Sequence, residues 1–149
     1  RIDYTKDSRV LAWEIQCLGL PAQTRSFQSG HIFQTLELWQ DGKPLLIESN
    51  RYEGSSPLLT QACGLHTAEA IGSFLIRAND QTIDKKIILD ILEKHPELHS
   101  GCSLIKDIFV IRASATYAEP IKALFLELWQ TIRPIVLQRP ACIPRIWLT

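Results

Sequence analysis

The stretch from His31 to Glu48, HIFQTLELWQDGKPLLIE, decides the fold. His31 to Trp39 has strand composition and a partial two-residue alternation, with Ile32, Leu36 and Leu38 in series and Gln34 interrupting it. Asp41-Gly42 then supplies a hairpin turn, because glycine accepts the positive φ that a two-residue connection demands. Pro44-Leu45-Leu46-Ile47-Glu48 returns as the partner strand. The segment is an antiparallel hairpin with one face toward a core.

Outward from the hairpin the same signals recur. Val10 to Ile15 reads as a buried strand between the Lys6-Asp7-Ser8 turn and Gly19-Leu20-Pro21. Ile71 to Ala78 is a further strand. A helix is expected over Ile83 to Lys94, capped by Asp80 or Thr82, with Ile83, Ile87, Ile88, Ile91 and Leu92 on one face. His95-Pro96 closes it, since proline pushes the preceding residue out of the helical region. Ser103 to Ile105 and Ile108 to Arg112 form a second strand pair around Lys106-Asp107. A second helix begins near Glu119-Pro120 and carries Ile121, Leu124, Phe125, Leu128 and Ile132 as a core-facing stripe. Pro134, Pro140 and Pro144 rule out helix beyond Arg133. The expected fold is mainly β with two α-helices, a β-rich α+β scaffold built from antiparallel hairpins, with residues 1–149 in one domain.

Composition narrows the function classes. With 46% hydrophobic and 21% charged residues the chain has a globular rather than a disordered composition. A formal net charge of zero argues against a nucleic-acid or membrane footprint, which needs clustered Lys and Arg. No apolar run approaches the roughly 20 residues of a spanning helix and no signal peptide is visible, so a soluble, cytoplasmic protein is expected. Methionine is missing even at position 1, and the chain is expected to be a piece of a longer product. The four cysteines, Cys17, Cys63, Cys102 and Cys142, show no CxxC pairing and read as reduced, partly buried thiols.

The last residues, Trp129 to Thr149, are apolar where a solvated tail would be polar. With Ile146-Trp147-Leu148 at its end, this segment is expected to be pinned to the domain. Trp13, Trp39, Trp129 and Trp147 read either as packing residues or as anchors of a partner surface.

Catalytic signatures are sparse. No GxSxG, phosphate-binding glycine loop or HExxH occurs, and nothing local activates Cys142 as a nucleophile. No catalytic residue is assigned. One metal-like constellation exists: Cys63 with His66, and His99 with Cys102, each a thiol and an imidazole three residues apart that together make a Cys2His2 set. The plainer reading is buried cysteines and exposed histidines. Glu48 ends an apolar run. It lies either on the solvent face of its sheet or in an internal polar space, paired with Arg51, Arg77, Arg112 or Arg145.

A resemblance covers nearly the whole chain. It runs through Leu18-Gly19-Leu20-Pro21-Ala22 with Phe27 and Gly30, then Asp41-Gly42-Lys43-Pro44-Leu45-Leu46-Ile47-Glu48. It resumes at Gly64-Leu65 and Gly72 and ends in Trp129, Arg133-Pro134 and Pro144-Arg145-Ile146-Trp147-Leu148-Thr149, the most specific piece. In these residues the chain resembles the C-terminal portion of the UreD (also UreH) urease accessory proteins. The resemblance implies a non-enzymatic, β-rich scaffold with two helices that assists urease maturation. Such proteins bind UreF, through it the GTPase UreG, and dock on apo-urease. They hold no cofactor tightly, and nickel passes transiently through an internal, water-filled channel. By position, Glu48 becomes a candidate lining carboxylate of that path. Trp129, Arg133, Pro144, Arg145 and Trp147 match a structural motif near the partner surface. Leu20 departs from the family, which usually carries Arg there. The family's N-terminal portion also has no counterpart here, which would leave sheet edges unpaired. The alternative function is a Cys/His metal-binding or hydrolytic protein using Cys63, His66, His99 and Cys102. A stand-alone β-rich binding module is a third.

Overall fold

The Asp41-Gly42 hairpin forms as its sequence dictates. Asp41 (φ 48°) and Gly42 (φ 75°) both take positive φ, the two-residue geometry whose twist matches that of the flanking strands. They join β3 (His31–Gln40) to β4 (Lys43–Glu53). Pro44 cannot donate to the ladder. The register shifts beside it, pairing Trp39 with Pro44 but Leu38 with Leu46, so Leu45 is left over as a bulge. The partner strand then runs five residues past Glu48, further than its apolar run alone implies.

The computed structural model describes residues 1–78 and 83–148. They hold seven strands in two sheets, three α-helices and two 3₁₀ turns. Beside the hairpin lies β1 (Ile2–Tyr4), a short strand that sequence patterning did not reveal, parallel to β3 and giving the order β1-β3-β4. The second sheet has the order β2-β5-β7-β6, all antiparallel: β2 (Val10–Cys17), β5 (Ala70–Arg77), β6 (His99–Ile105) and β7 (Ile108–Ala115). β6 begins four residues before the expected Ser103, which matters for the site below. A one-turn helix, α1 (Pro57–Thr60), was also not foreseen.

The helices cover one face of the four-stranded sheet. Helix α2 (Lys85–Leu92) starts later than expected, because the Asp84 carboxylate accepts the Lys86 backbone N–H at 2.9 Å and sets the first turn. The caps expected at Asp80 and Thr82 lie outside the described residues. Helix α3 (Ala118–Leu137) buries the expected stripe of Ile121, Leu124, Phe125, Leu128 and Ile132. It does not stop before Pro134 but passes through it for another turn, ending at Gln138 in the left-handed conformation. An interior proline costs about 3 kcal/mol. Val136, buried on the same stripe as Ile132, offsets much of that, since burying an aliphatic side chain contributes about 1.5–3 kcal/mol. Gly72 lets α3 approach β5 closely, for a Cβ there would stand 2.8 Å from both Ile121 and Phe125.

The other face of the four-stranded sheet packs against the three-stranded sheet. Tyr4, Leu38 and Leu46 from one sheet meet Leu75, Ile108 and Val110 from the other in a small apolar cluster. A buried guanidinium braces its edge. Arg77 donates to Asp107 in the β6–β7 turn (3.0 Å) and to the Ser8 carbonyl, and lies over the Tyr4 ring. No helix among the described residues is long and apolar enough to cross a membrane.

Candidate functional site

The space between the two sheets changes character along its length. Successive strand residues point to opposite faces, so every second residue of each strand looks into this space. In β3 that row is Leu38, Leu36, Gln34; in β4 it is Leu46, Glu48, Asn50, Tyr52. In β7 it is Ile108, Val110, Arg112, Ser114, and in β5 Leu75 then Ser73. β2 adds Ala12 then Glu14. The apolar members, Leu38, Leu46, Leu75, Ile108 and Val110, gather at one end, and Glu14, Gln34, Glu48, Asn50, Ser73 and Arg112 follow toward the other. Gln34 therefore does not break the alternation of β3; it sits on the same face as Leu36 and Leu38.

Two contacts cross between the sheets at the polar end. Gln34 Nε2 donates to Glu14 Oε1 at 2.8 Å. Arg112 pairs with Glu48 through its guanidinium. Glu48 thus faces inward, with only 14% of its side chain exposed, against 50% for Arg112. Of the arginines considered as its partner, Arg112 is the one found. Arg51 lies on the outer face beside Glu53 and over Phe33, and Arg77 is taken by Asp107. Beside them lies a pocket of about 260 Å³ lined by Glu14, Gln34, Asn50, Tyr52, Ser73 and Arg112, among others; Glu48 adjoins it through Arg112. That is room for several water molecules. Burial pushes the Tyr52 phenol up from its ordinary value; Arg112 opposes the shift while Glu14 and Glu48 add to it. Arg112, Glu14 and Glu48 are thus all within electrostatic reach of Tyr52. Two carboxylates against one guanidinium leave this end with a net negative charge that favours a cation.

The C-terminal residues lie on the opposite side of the four-stranded sheet. Trp13 and Glu14 are consecutive in β2, so Trp13 points to the helices and Glu14 to the polar pocket. The Trp147 ring sits edge-on between Trp13 (4.8 Å) and Trp129 (5.0 Å), and Trp13 in turn meets Phe125 at 5.8 Å. Trp129 Nε1 donates to the Cys142 carbonyl at 3.3 Å, and the Arg133 guanidinium lies over the Trp129 ring. The Pro144 carbonyl accepts the Trp147 N–H in the closing 3₁₀ turn, Arg145–Leu148. The tail is pinned, as its composition demands. Arg145, exposed in that turn, is on the wrong side of the sheet for Glu48.

The Cys2His2 set does not assemble. His99 and Cys102 both lie in β6, where a three-residue separation sends them to opposite faces. Cys102 packs against the helix-side core, opposite Ile111. Among the described residues no group of three or more His, Cys, Asp or Glu is placed to hold a metal ion. His66 and His99 alone come together, their rings 5.7 Å apart. The thiols are free, but Cys17, Cys63 and Cys142 are exposed rather than partly buried, and only Cys102 is half-buried. Burial pushes the Cys17 and Cys102 thiols up from their ordinary value, away from the reactive thiolate.

Sequence reasoning missed Glu14, Gln34, Asn50 and Tyr52 as members of one site. The available signal was the phase of each strand. Polar residues fell in step with the inward apolar ones rather than out of step with them.

The sequence is similar to that of known proteins. A family model described as UreD urease accessory protein matches residues 1–148. The urease accessory protein UreD of Alcanivorax borkumensis is 36% identical over 149 residues, covering all of this chain and 50% of that protein. Its namesake in Dechloromonas aromatica is 30% identical over 152 residues, covering all of this chain and 53% of its own. That of Citrobacter koseri is 33% identical over 97% of this chain and 48% of its own. The chain spans about half the length of the curated relatives it matches.

Proposed function

Since the chain belongs to the UreD family of urease accessory proteins, we propose that it serves urease maturation as a non-enzymatic scaffold, and that nickel on its way to apo-urease passes the polar end of its two-sheet interior. The cation is cargo and is released, not retained as a cofactor. UreF, with UreG recruited through it, and apo-urease are the partners of this reading, and the cytoplasm its compartment.

The observation that carries it is the inward-facing Glu48, paired with Arg112 at the edge of a solvent-open pocket that Arg112 lines together with Glu14, Gln34 and Asn50. Carboxylate and amide oxygens attract a divalent ion, yet too few converge to trap it. Arg112 neutralises Glu48 while the path is empty and, being half exposed, can yield the carboxylate to an arriving dication. Trp129, Arg133, Pro144, Arg145 and Trp147 do no ion chemistry. They hold the tail against β2 and α3, and the exposed Arg145 and Ile146 at its end offer a surface for a protein partner. The test is complementation. The full-length protein is expected to restore urease activity to a strain lacking its own UreD-family protein and to co-purify with UreF. Failure on both counts overturns the reading.

A further inference from the structure

From the pairing of His66 and His99 we infer a two-imidazole site for a borderline divalent transition cation, nickel or zinc in class, at the rim of the polar pocket. It deepens the reading just given by supplying an entry ligand set, while its binding chemistry is tested without urease.

Two segments far apart in sequence build the pair. His99 opens β6 on the face toward the other sheet and lines the pocket. His66 ends a tightly tied loop after α1. Leu65 N–H reaches the Leu58 carbonyl at 2.8 Å, His66 N–H the Gln61 carbonyl at 3.1 Å and Thr67 N–H the Leu59 carbonyl at 2.9 Å. Leu65 itself lines the same pocket, so the loop is anchored at its rim. His66 and Thr67 both hold positive φ, 48° and 67°. Two consecutive non-glycine residues in that region are costly, about 1–3 kcal/mol each, and such strain gathers where a side chain must be aimed. What it aims is an imidazole at a second imidazole.

The spacing suits one ion. Bonded to one nitrogen of each ring at about 2.1 Å, an ion stands roughly 3.2 Å from each ring centre. Centroids 5.7 Å apart then subtend about 125° at the ion, not far from tetrahedral. Both side chains are exposed, so their rings can turn to present nitrogens without disturbing the core. Imidazole suits nickel, zinc and copper better than magnesium or calcium, so the pair selects among divalent ions before the oxygen groups inside receive one. With two protein ligands and water in the remaining positions, the site exchanges its ion readily, as cargo handling requires.

The test uses purified full-length protein, NiCl2 and ZnCl2, calorimetric titration, and spectra of the imidazole nitrogens. H66A or H99A alone is expected to weaken nickel binding at least tenfold at this site. The double variant abolishes that binding with an unchanged circular dichroism spectrum, and C63S and C102S leave it intact. Substoichiometric nickel should broaden the His66 and His99 signals before those of His31 and His95. Nickel affinity unchanged in the double variant, or broadening that begins at other histidines, overturns the site. Urease activation is read separately. A protein that binds nickel through this pair yet fails to activate urease overturns the scaffold reading and leaves the site standing.

Discussion

The two faces of the β2-β5-β7-β6 sheet are built to different ends. The face under α2 and α3 holds most of the core, with Phe74, Ile76, Ile111, Leu124, Phe125 and Leu128 fully buried. The face toward β1-β3-β4 is closed only where Leu38, Ile108 and Val110 meet, and opens into polar groups from Glu14 to Arg112. One strand serves both faces, since alternate residues separate them. The difference teaches where selection for stability stops. The helix-covered layer and the apolar end supply the folding free energy, which leaves the open end free to hold charge and space.

Substitutions that probe this difference rank by how closed their surroundings are. Phe125→Ala empties a site between Trp13 and Phe74, and should lower unfolding free energy by about 3–5 kcal/mol in urea titrations. Leu38→Ala, fully buried but next to the open end, should cost about 2–4 kcal/mol, because the interlayer can partly collapse around it. Gln34→Ala, four residues earlier on the same face of β3, should cost less than about 1 kcal/mol, since its bond to Glu14 is solvent-exposed. Equal losses at Leu38 and Gln34 would erase the distinction between the two ends.

A smaller effect is expected on the closed side and depends on pH. Glu127 of α3 accepts Lys94 at 2.7 Å and His95 at 3.0 Å, clipping the two helices together. The hydrogen bond from Lys94, with a lesser one from His95, holds its carboxyl below the ordinary value of 4.5. A depressed folded value means that the stabilisation is complete above the ordinary value and fades as pH falls through the depressed one. Wild-type protein should therefore melt slightly above Glu127→Gln at pH 6, and the gap should close in more acidic buffer. A gap that stays constant down to pH 3 would contradict the assignment. The pair is largely exposed, so the effect is small.

Much of this fold is legible in the sequence, for reasons particular to each element. The Asp41-Gly42 turn has one sterically easy solution, and the α3 stripe from Ile121 to Ile132 repeats with the period of a helix. What escaped notice depended on tertiary context. Pro134 reads as a stop until Val136 is seen to be buried beyond it. β1 is three residues long and exists because Tyr4, Leu38 and Arg77 hold it. His99 and Cys102 look like loop ligands until β6 is found to begin at His99. The polar site was half legible. Glu48 stands out in the sequence and Arg112 is among its possible partners, but choosing Arg112 over Arg145 requires knowing on which face of the sheet each lies. Gln34 carried the missing signal, a polar residue in phase with the core.

The most direct test of this division of labour is Glu48→Gln in the full-length protein, assayed for urease activation in a strain lacking its own UreD-family protein at matched abundance. The substitution keeps the shape and hydrogen-bonding reach of the side chain and removes only the charge, so the melting temperature should stay within a few degrees of wild type. Urease activation should fall at least tenfold. Full activation by Glu48→Gln would contradict the claim that the open end of the interior carries the function.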